Sequence, residues 1–566
     1  MQHPVDIGGR SPLNGGYNTT KAKGGRCHDC RGKRWLRVPR RRGARVVSAA
    51  ADNAVSALLD RNVAQGRGAK IAYIDPTRSL TYADLQSATR RLANLLRRLS
   101  VRREERVAMI MLDTVDFPTV FLGALRAGAL PVPLNTLLTA DQYAYMLADS
   151  RAGVLFVSQA LLPVVEPILP GLSDLREVIV VGGPTGGSRD FAAALAAEPD
   201  AFDTVATHAD ETAFWLYSSG STGAPKGVRH VHRSLMATAD TYARQVLGIR
   251  EDDVCLSAAK LFFAYGLGNA LTFPMSVGAT TVLNPDRPTP ATMFALMHKH
   301  QPSIFYGVPT LFAAMLGDPA LAGERGSPRL RICTSAGEAL PEHVGLAWQA
   351  RFGVDILDGV GSTEMLHIFL SNAPDDLRYG ASGRPVPGYR VRLVNEQGAD
   401  VPDGEIGEML VDGPSAADGY WNQREKTRGT FLGAFTRTGD KYVRDADGRY
   451  IYCGRADDMF KVSGIWVSPF EVESALISHP AVLEAAVIPA SDPDGLLKPK
   501  AFVVLKAGAL AGAAAGELDG ALKQHVKTTV GGWKYPRWIE FVDGLPKTAT
   551  GKIQRFKLRE REERQG

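Results

Sequence analysis

Between Tyr217 and Gly227 the chain reads YSSGSTGAPKG, with three serines, a threonine, three glycines and one lysine in eleven positions. Ser218, Ser219, Ser221 and Thr222 offer four hydroxyl donors. The glycines let backbone N–H groups approach an anion, and Lys226 adds a cation behind the rigid Pro225. That set suits phosphate. It differs from the common phosphate loop, whose closing glycine leads directly into Lys-Ser/Thr. Further groups of the same chemical kind follow: Thr363-Glu364 in GVGSTE, Asp440 in TGD, Arg455 and Asp457 in GRADD, and Lys552 in PKTATGKIQR. Singly, each is an ordinary turn, cap or solvated charge.

The elements around these residues alternate. From residue 51, "RVAMIML", "VDFPTVFLGALRAGA", "LPVPL", "TADQYAYMLADS" and "AGVLFVS" switch between β-branched runs and helical spacing, which predicts layered α/β structure. Thr139 caps one predicted helix and Gly128 closes another. "TAFWLYSS" predicts a strand entering the loop, and "HRSLMATADTYARQVLG" a helix leaving it, so a strand–loop–helix unit is expected to present the anion site. From Tyr389, "YRVRLVNEQGADVPDGEIGEMLVDG" alternates apolar and polar residues between Gly and Asp turns, as in a small β-barrel or β-subdomain. A compact α+β unit begins after Arg455. Leu261–Pro285 is 25 residues without a charge, but Gly266, Gly268, Pro274 and Gly278 interrupt it. It is expected to be buried strand, loop and short helix rather than a membrane span.

Five motifs in this order resemble the adenylate-forming superfamily, which includes acyl-CoA synthetases, over residues 51–560. The resemblance implies an α/β fold. A large multi-subdomain N-terminal domain (51–455, α/β layers plus a small β-barrel) would carry a small mobile α+β C-terminal domain (456–566). It also implies ATP, Mg2+ and coenzyme A as reactants. By this resemblance, Ser218, Ser219, Ser221, Thr222, Lys226, Gly337, Glu338, Asp358, Gly359, Thr363, Asp440 and Arg455 bind ATP. Glu364 holds Mg2+, and Lys552 bridges the α-phosphate and acyl oxygens. After rotation about Asp457, Lys461, Ser463 and Gly464 serve the thiolation step. The chemistry is coherent, because a carboxylate is a poor acyl donor until it is joined to a better leaving group, and AMP is one. Transfer to a carrier-protein thiol shares the first step and is the alternative. Nucleotide binding without catalysis, or phosphoryl transfer, stands further off.

Composition narrows the partners. The net charge is +6, yet residues 1–50 hold twelve Lys/Arg against Asp6 and Asp29, a balance of +10 that leaves −4 for the remaining 516 residues. The basic excess belongs to a Gly/Arg-rich tail, expected to be disordered or a transit peptide. The folded body gives no electrostatic reason to expect nucleic acid. Cysteines at 27, 30, 255, 333 and 453 form no disulfide pattern and suit a reducing cytoplasm. Cys27-His-Asp-Cys30 lacks a second ligand pair. A monomer or homodimer without membrane attachment is expected.

"LFFAYGLGN", "CTSAGEALPEHVG", "ILDGVGSTEMLHIFLSN" and "KVSGIWVSPFEVESAL" are similar to the benzoate-CoA ligase group in particular. The similarity implies that Ala264, Tyr265, Ala336, His367 and Ile368 line a short, mostly apolar slot for an aromatic carboxylate. The chain departs from that group at Val530-Gly-Gly-Trp533 and in its first fifty residues. Lys552→Ala is expected to block adenylation yet still convert a supplied acyl adenylate to thioester, and Lys461→Ala to do the reverse. Measuring the two half-reactions separately checks this, and equal loss of both in either variant would sink the two-state assignment.

Overall fold

The computed structural model describes residues 52–564 except 184–187, 219–223, 463–464, 494–495, 507, 509–514, 533 and 548–552. The N-terminal tail with Cys27 and Cys30, and Ser219, Ser221, Thr222, Ser463, Gly464, Trp533 and Lys552, therefore lie outside the described residues. The chain divides into residues 1–48 and a compact unit spanning 49–566.

Within that unit a nine-stranded sheet has the spatial order Arg384–Pro385, Ile368–Ser371, Ile356–Gly361, Ile332–Ser335, Ile304–Gly307, Val254–Ser257, Thr280–Val282, Ile71–Ile74 and Ser79–Thr81. Its interior pairs are parallel and its margins antiparallel. A second sheet, Leu130–Pro133, Arg106–Ile110, Val154–Ser158, Glu177–Val181 and Arg189–Asp190, is parallel throughout. "VLFVS" is buried at every position, as expected of a strand covered on both faces. Its covering helices start where short polar side chains satisfy orphan N–H groups. Thr81 forms a capping box with Asp84 at Tyr82–Arg98, and Thr139 forms one with Gln142 at Ala140–Ser150.

The predicted strand–loop–helix unit is instead a β-hairpin. Thr212–Ser218 pairs antiparallel with Lys226–Val231, setting Tyr217 opposite Gly227 and Ser218 opposite Lys226, and the helix His232–Thr238 starts only after the second strand. The reason is local: in KGVRHV, Val228 and His230 turn inward while Arg229 faces out to Asp418 at 2.9 Å. That period of two is a strand's. The loop thus ends in paired β-structure rather than at a helix N-terminus.

Residues 390–455 form a five-stranded antiparallel sheet from Arg390–Val394, Ile406–Asp412, Phe435–Arg444, Phe431–Leu432 and Tyr450–Arg455. Among the described residues its pairings form the expected β-subdomain and show no closure into a barrel. The C-terminal part has its own core, including Val472, Leu476, Val487, Val503 and Leu522. It is built from the hairpin Phe460–Val462/Ile465–Val467, a three-stranded sheet and the helices Pro469–Ile477, Ala515–Val530 and Arg555–Glu563. The uncharged stretch becomes a helical run from Ala264 to Val277 followed by the strand Thr280–Val282. Among the described residues, no helix is long and apolar enough to cross a membrane.

One buried charge ties the end of the helix Asp116–Arg126 to the segments Ser56–Asp60 and Tyr82–Arg98 and to Thr204. Arg126 is 1% exposed; its guanidinium lies 2.7 and 3.2 Å from the two Asp60 oxygens and reaches Thr89 and Thr204 at 3.2 and 2.6 Å. Removing one partner strands a buried charge. Asp60→Ala is expected to cost on the order of 3 kcal/mol, seen as a lower thermal-unfolding midpoint; an unchanged midpoint would show that Arg126 needs no counter-charge.

Candidate active site

Parallel strands of an open α/β sheet present their carboxyl ends to ligands. Here Ile332–Ser335 runs into Ala336-Gly337-Glu338, and Ile356–Gly361 into Thr363-Glu364. Ala336 is buried, whereas Gly337, with φ of +96°, and Glu338 are exposed. Asp358 is buried on the second strand beside Gly359. Its Oδ1 has no hydrogen-bond partner among the described residues, and burial raises its pKa well above the usual carboxylate range.

Glu364 gathers the phosphate-type residues. Its Oε1 accepts from the Ser218 hydroxyl at 3.2 Å and from the Tyr420 hydroxyl at 2.9 Å. The Lys226 ammonium is 3.4 Å from that same tyrosine oxygen and 4.4 Å from its ring centroid. Burial lowers the Lys226 pKa and Glu364 works the other way; Arg455 and Asp457 are near enough to add opposing contributions. The Thr363 carbonyl accepts from His230 Nε2 at 2.8 Å, and burial pushes that imidazole down to about 4, so it is neutral near pH 7. Thus Ser218, Lys226, Thr363 and Glu364, drawn from a span of 147 residues, meet at one place. Tyr420, which completes the set, was missed by motif reading; its only signal was an aromatic pair in the turn-rich ADGYW.

Asp440 and Arg455 face each other across adjacent strands. Arg455 Nη1 lies 3.0 Å from Asp440 Oδ1 and donates to the Thr438 carbonyl at 2.9 Å. Burial opposes the arginine charge, yet Asp440 keeps its pKa above the ordinary value. Gly439 permits this closeness, since with φ of +74° a Cβ there would meet Arg455 Nη2 at 2.8 Å.

Beside these strand ends lie the residues expected to line an acid slot. Tyr265 donates to or accepts from Thr334 Oγ1 at 2.6 Å. His367 Nε2 is 3.2 Å from the Tyr265 carbonyl and 3.1 Å from Asn269 Oδ1, two acceptors that place the proton on Nε2. Burial drives the His367 pKa down to about 3. Its ring packs against Phe273, Tyr242 and Tyr265, with centroids 4.4, 5.5 and 5.5 Å away. Tyr265, Ala336 and Ile368 share one apolar cluster, while Ala264 packs with Phe262 and Phe263 on the neighbouring one. In the C-terminal part Lys461 is half exposed, 4.6 Å over the Trp466 ring and 3.7 Å from Glu396, and Asp457 sits in the exposed turn after Arg455.

Among the described residues no three His, Cys, Asp or Glu side chains are grouped to hold a metal. A lone Glu364 carboxylate nevertheless fits Mg2+, which keeps several waters and takes one or two carboxylates together with substrate phosphates.

An α/β body followed by a small α+β unit, with Ser218 and Lys226 of one hairpin gathered about the strand-end Glu364, is the arrangement of an adenylate-forming enzyme. The chain belongs to the AMP-binding enzyme family, whose model matches residues 59–421, and the AMP-binding enzyme C-terminal domain matches residues 471–552. It is 58% identical over 513 residues to a 4-hydroxybenzoate–CoA/benzoate–CoA ligase of Rhodopseudomonas palustris, covering 90% of this chain and 94% of that protein. It is also 58% identical over 509 residues to a benzoate–CoA ligase of Thauera aromatica, covering 90% and 95%. Among solved structures, a benzoate CoA ligase from Burkholderia xenovorans LB400 superposes with a TM-score of 0.82 at 52% identity, over 90% of this chain and 99% of that one. An anthranilate CoA ligase in complex with anthranoyl-AMP gives 0.85 at 44% identity, over 90% and 97%.

Gly268 sets the position of His367, because a Cβ there would lie 2.2 Å from His367 Cδ2. Gly268→Ala is expected to destabilise by about 1–3 kcal/mol through overpacking, and His367→Ala to relieve part of that cost in the double variant. A thermal-unfolding cycle over the four proteins measures it; strictly additive effects would mean the two residues do not press on one another.

Proposed function

We propose that this chain is an ATP-dependent aryl acid–CoA ligase with benzoate as a substrate. The observation that carries the proposal is the juxtaposition of two environments at the same strand ends. One is the polar string of Ser218, Glu364, Tyr420 and Lys226; the other is the apolar slot of Tyr265, Ala336, Ile368 and a neutral His367. Relatives named for benzoate-CoA ligation, at 58% identity over nearly their whole length, support the same reading.

In the first step a carboxylate oxygen of the aromatic acid attacks the α-phosphorus of ATP. The acyl–phosphate bond forms, the bond to the β-phosphate bridging oxygen breaks, and pyrophosphate leaves. Lys226 and the loop hydroxyls of Ser218, Ser219, Ser221 and Thr222 hold the departing phosphates by charge-assisted hydrogen bonds. Mg2+, when bound through Glu364, offsets phosphate charge. Asp440 accepts from the ribose hydroxyls while Arg455 keeps its carboxylate in place. Asp358, buried with an acceptor oxygen to spare, takes an amino N–H of the base near Gly337, Glu338 and Gly359. Lys552 supplies the cation at the α-phosphate, where a preorganised donor is worth on the order of 10² to 10³ in rate.

In the second step the CoA sulfur attacks the acyl carbonyl, the C–S bond forms, and the C–O bond to AMP breaks as the thiol proton is lost. Lys461, Ser463 and Gly464 serve this step after the part beyond Asp457 turns, with residues 51–455 remaining as the ATP- and acid-binding body. The slot favours a flat ring because its walls are aromatic and branched-aliphatic faces set by packing. His367, neutral with Nε2–H committed to two acceptors, adds no positive charge there.

Incubation with ATP, Mg2+, benzoate and CoA is expected to yield AMP and benzoyl-CoA, with octanoate giving a far smaller kcat/KM. ADP as product, or thioester formation independent of CoA, would refute the reaction, and comparable kcat/KM for octanoate would refute the aryl slot.

A further inference from the structure

The residue that joins the two charged groups of the polar string is a buried tyrosine on a two-residue strand. Gly419–Tyr420 pairs with the loop hairpin at Arg229 and Val228, so Tyr420 is carried by the element that also carries Lys226. Its backbone N–H donates to Thr427 Oγ1 at 3.1 Å, and its ring meets Phe431 edge to face at 5.4 Å. The segment Arg424–Thr430 and the phenylalanine after it therefore clamp the side chain from outside the site.

A phenol has one proton to give and lone pairs with which to receive. Here the proton goes to Glu364 Oε1 at 2.9 Å, the nearer of two hydroxyl contacts, the other being Thr430 Oγ1 at 3.5 Å; the oxygen also faces the Lys226 ammonium at 3.4 Å while the ring face lies under it. Among the described residues both hydrogen bonds to Glu364, from Ser218 and Tyr420, land on Oε1. Two donors on one oxygen fix the plane of the carboxylate and turn its second oxygen to other partners. The contact of Lys226 with the ring is a cation–π seat, which a polyphosphate's full charges outcompete.

We propose that Tyr420 is a positioning residue that couples the phosphate-loop lysine to the metal-holding carboxylate. Its hydroxyl pins Glu364 Oε1 so that the other oxygen is presented to phosphate-bound Mg2+, and its ring seats Lys226 where a triphosphate can draw it off. This rests on the ligase assignment for the identity of the nucleotide, but its test needs neither acid nor CoA.

Calorimetric titration of ATP into wild type and Tyr420→Phe, once with Mg2+ and once with EDTA, decides it. Tyr420→Phe keeps the ring and removes the hydroxyl. The tightening of ATP binding that Mg2+ brings is expected to fall about tenfold, while metal-free ATP binding stays within about threefold, because the cation–π seat survives. Parallel loss in both arms, the signature of a merely structural role, would overturn the proposal, as would an undiminished Mg2+ effect. A second measurement guards against partial unfolding. Thioester formation from supplied aryl adenylate, which uses no pyrophosphate clamp, is expected to keep its kcat in Tyr420→Phe while the KM for MgATP rises; loss of both overturns it. Should wild type make no thioester at all, the ligase assignment fails and the calorimetry still judges Tyr420.

Discussion

A partly buried carboxylate and a partly buried ammonium must each be satisfied before any ligand arrives, because an unpaired charge in a low-dielectric site is costly. This chain meets that demand with the string Ser218–Glu364–Tyr420–Lys226. Its members come from a hairpin, a strand end and a two-residue strand, so forming the string requires those three elements to be docked correctly. The parallel sheet delivers Glu364, the hairpin delivers Ser218 and Lys226, and the pairing of Gly419–Tyr420 with the hairpin closes the set. The groups that pair with one another are also those suited to a phosphate and its cation, so the site is preorganised.

The apolar residues around His367 follow the opposite logic. His367 is deprived of charge by burial, committed to two acceptors through Nε2 and wedged among three rings, with Gly268 admitting it at close range. The polar string and the apolar cluster of Tyr265, Ala336 and Ile368 thus lie at neighbouring strand ends, and His367 adds no positive charge to the second.

Much of this is legible in the sequence. The motif residues and their order pointed to the family, and the alternating runs to layered α/β structure, because those signals are local. Two things are not. The sequence predicts a helix leaving the loop at HRSLMATADTYARQVLG, yet the inward Val228 and His230 and outward Arg229 of KGVRHV make a second strand that intervenes. Anion loops commonly open a helix, but here pairing with Thr212–Ser218 prevails. Tyr420 was invisible for a different reason: a tyrosine in ADGYW has no motif of its own, and it acquires meaning only through partners 56 and 194 residues away.

By itself, the sequence determined which chemical groups are available, the class of fold, and the family that the match over residues 59–421 identifies. Residue type, local periodicity and motif order carry that information along the chain. The tertiary structure alone decided that Glu364 Oε1 is shared by a serine and a tyrosine, that Asp440 faces Arg455 across a strand pair, and that His367 is neutral. Hydrogen-bond geometry and desolvation depend on distances through space, and those are set only when the sheets and hairpin pack together.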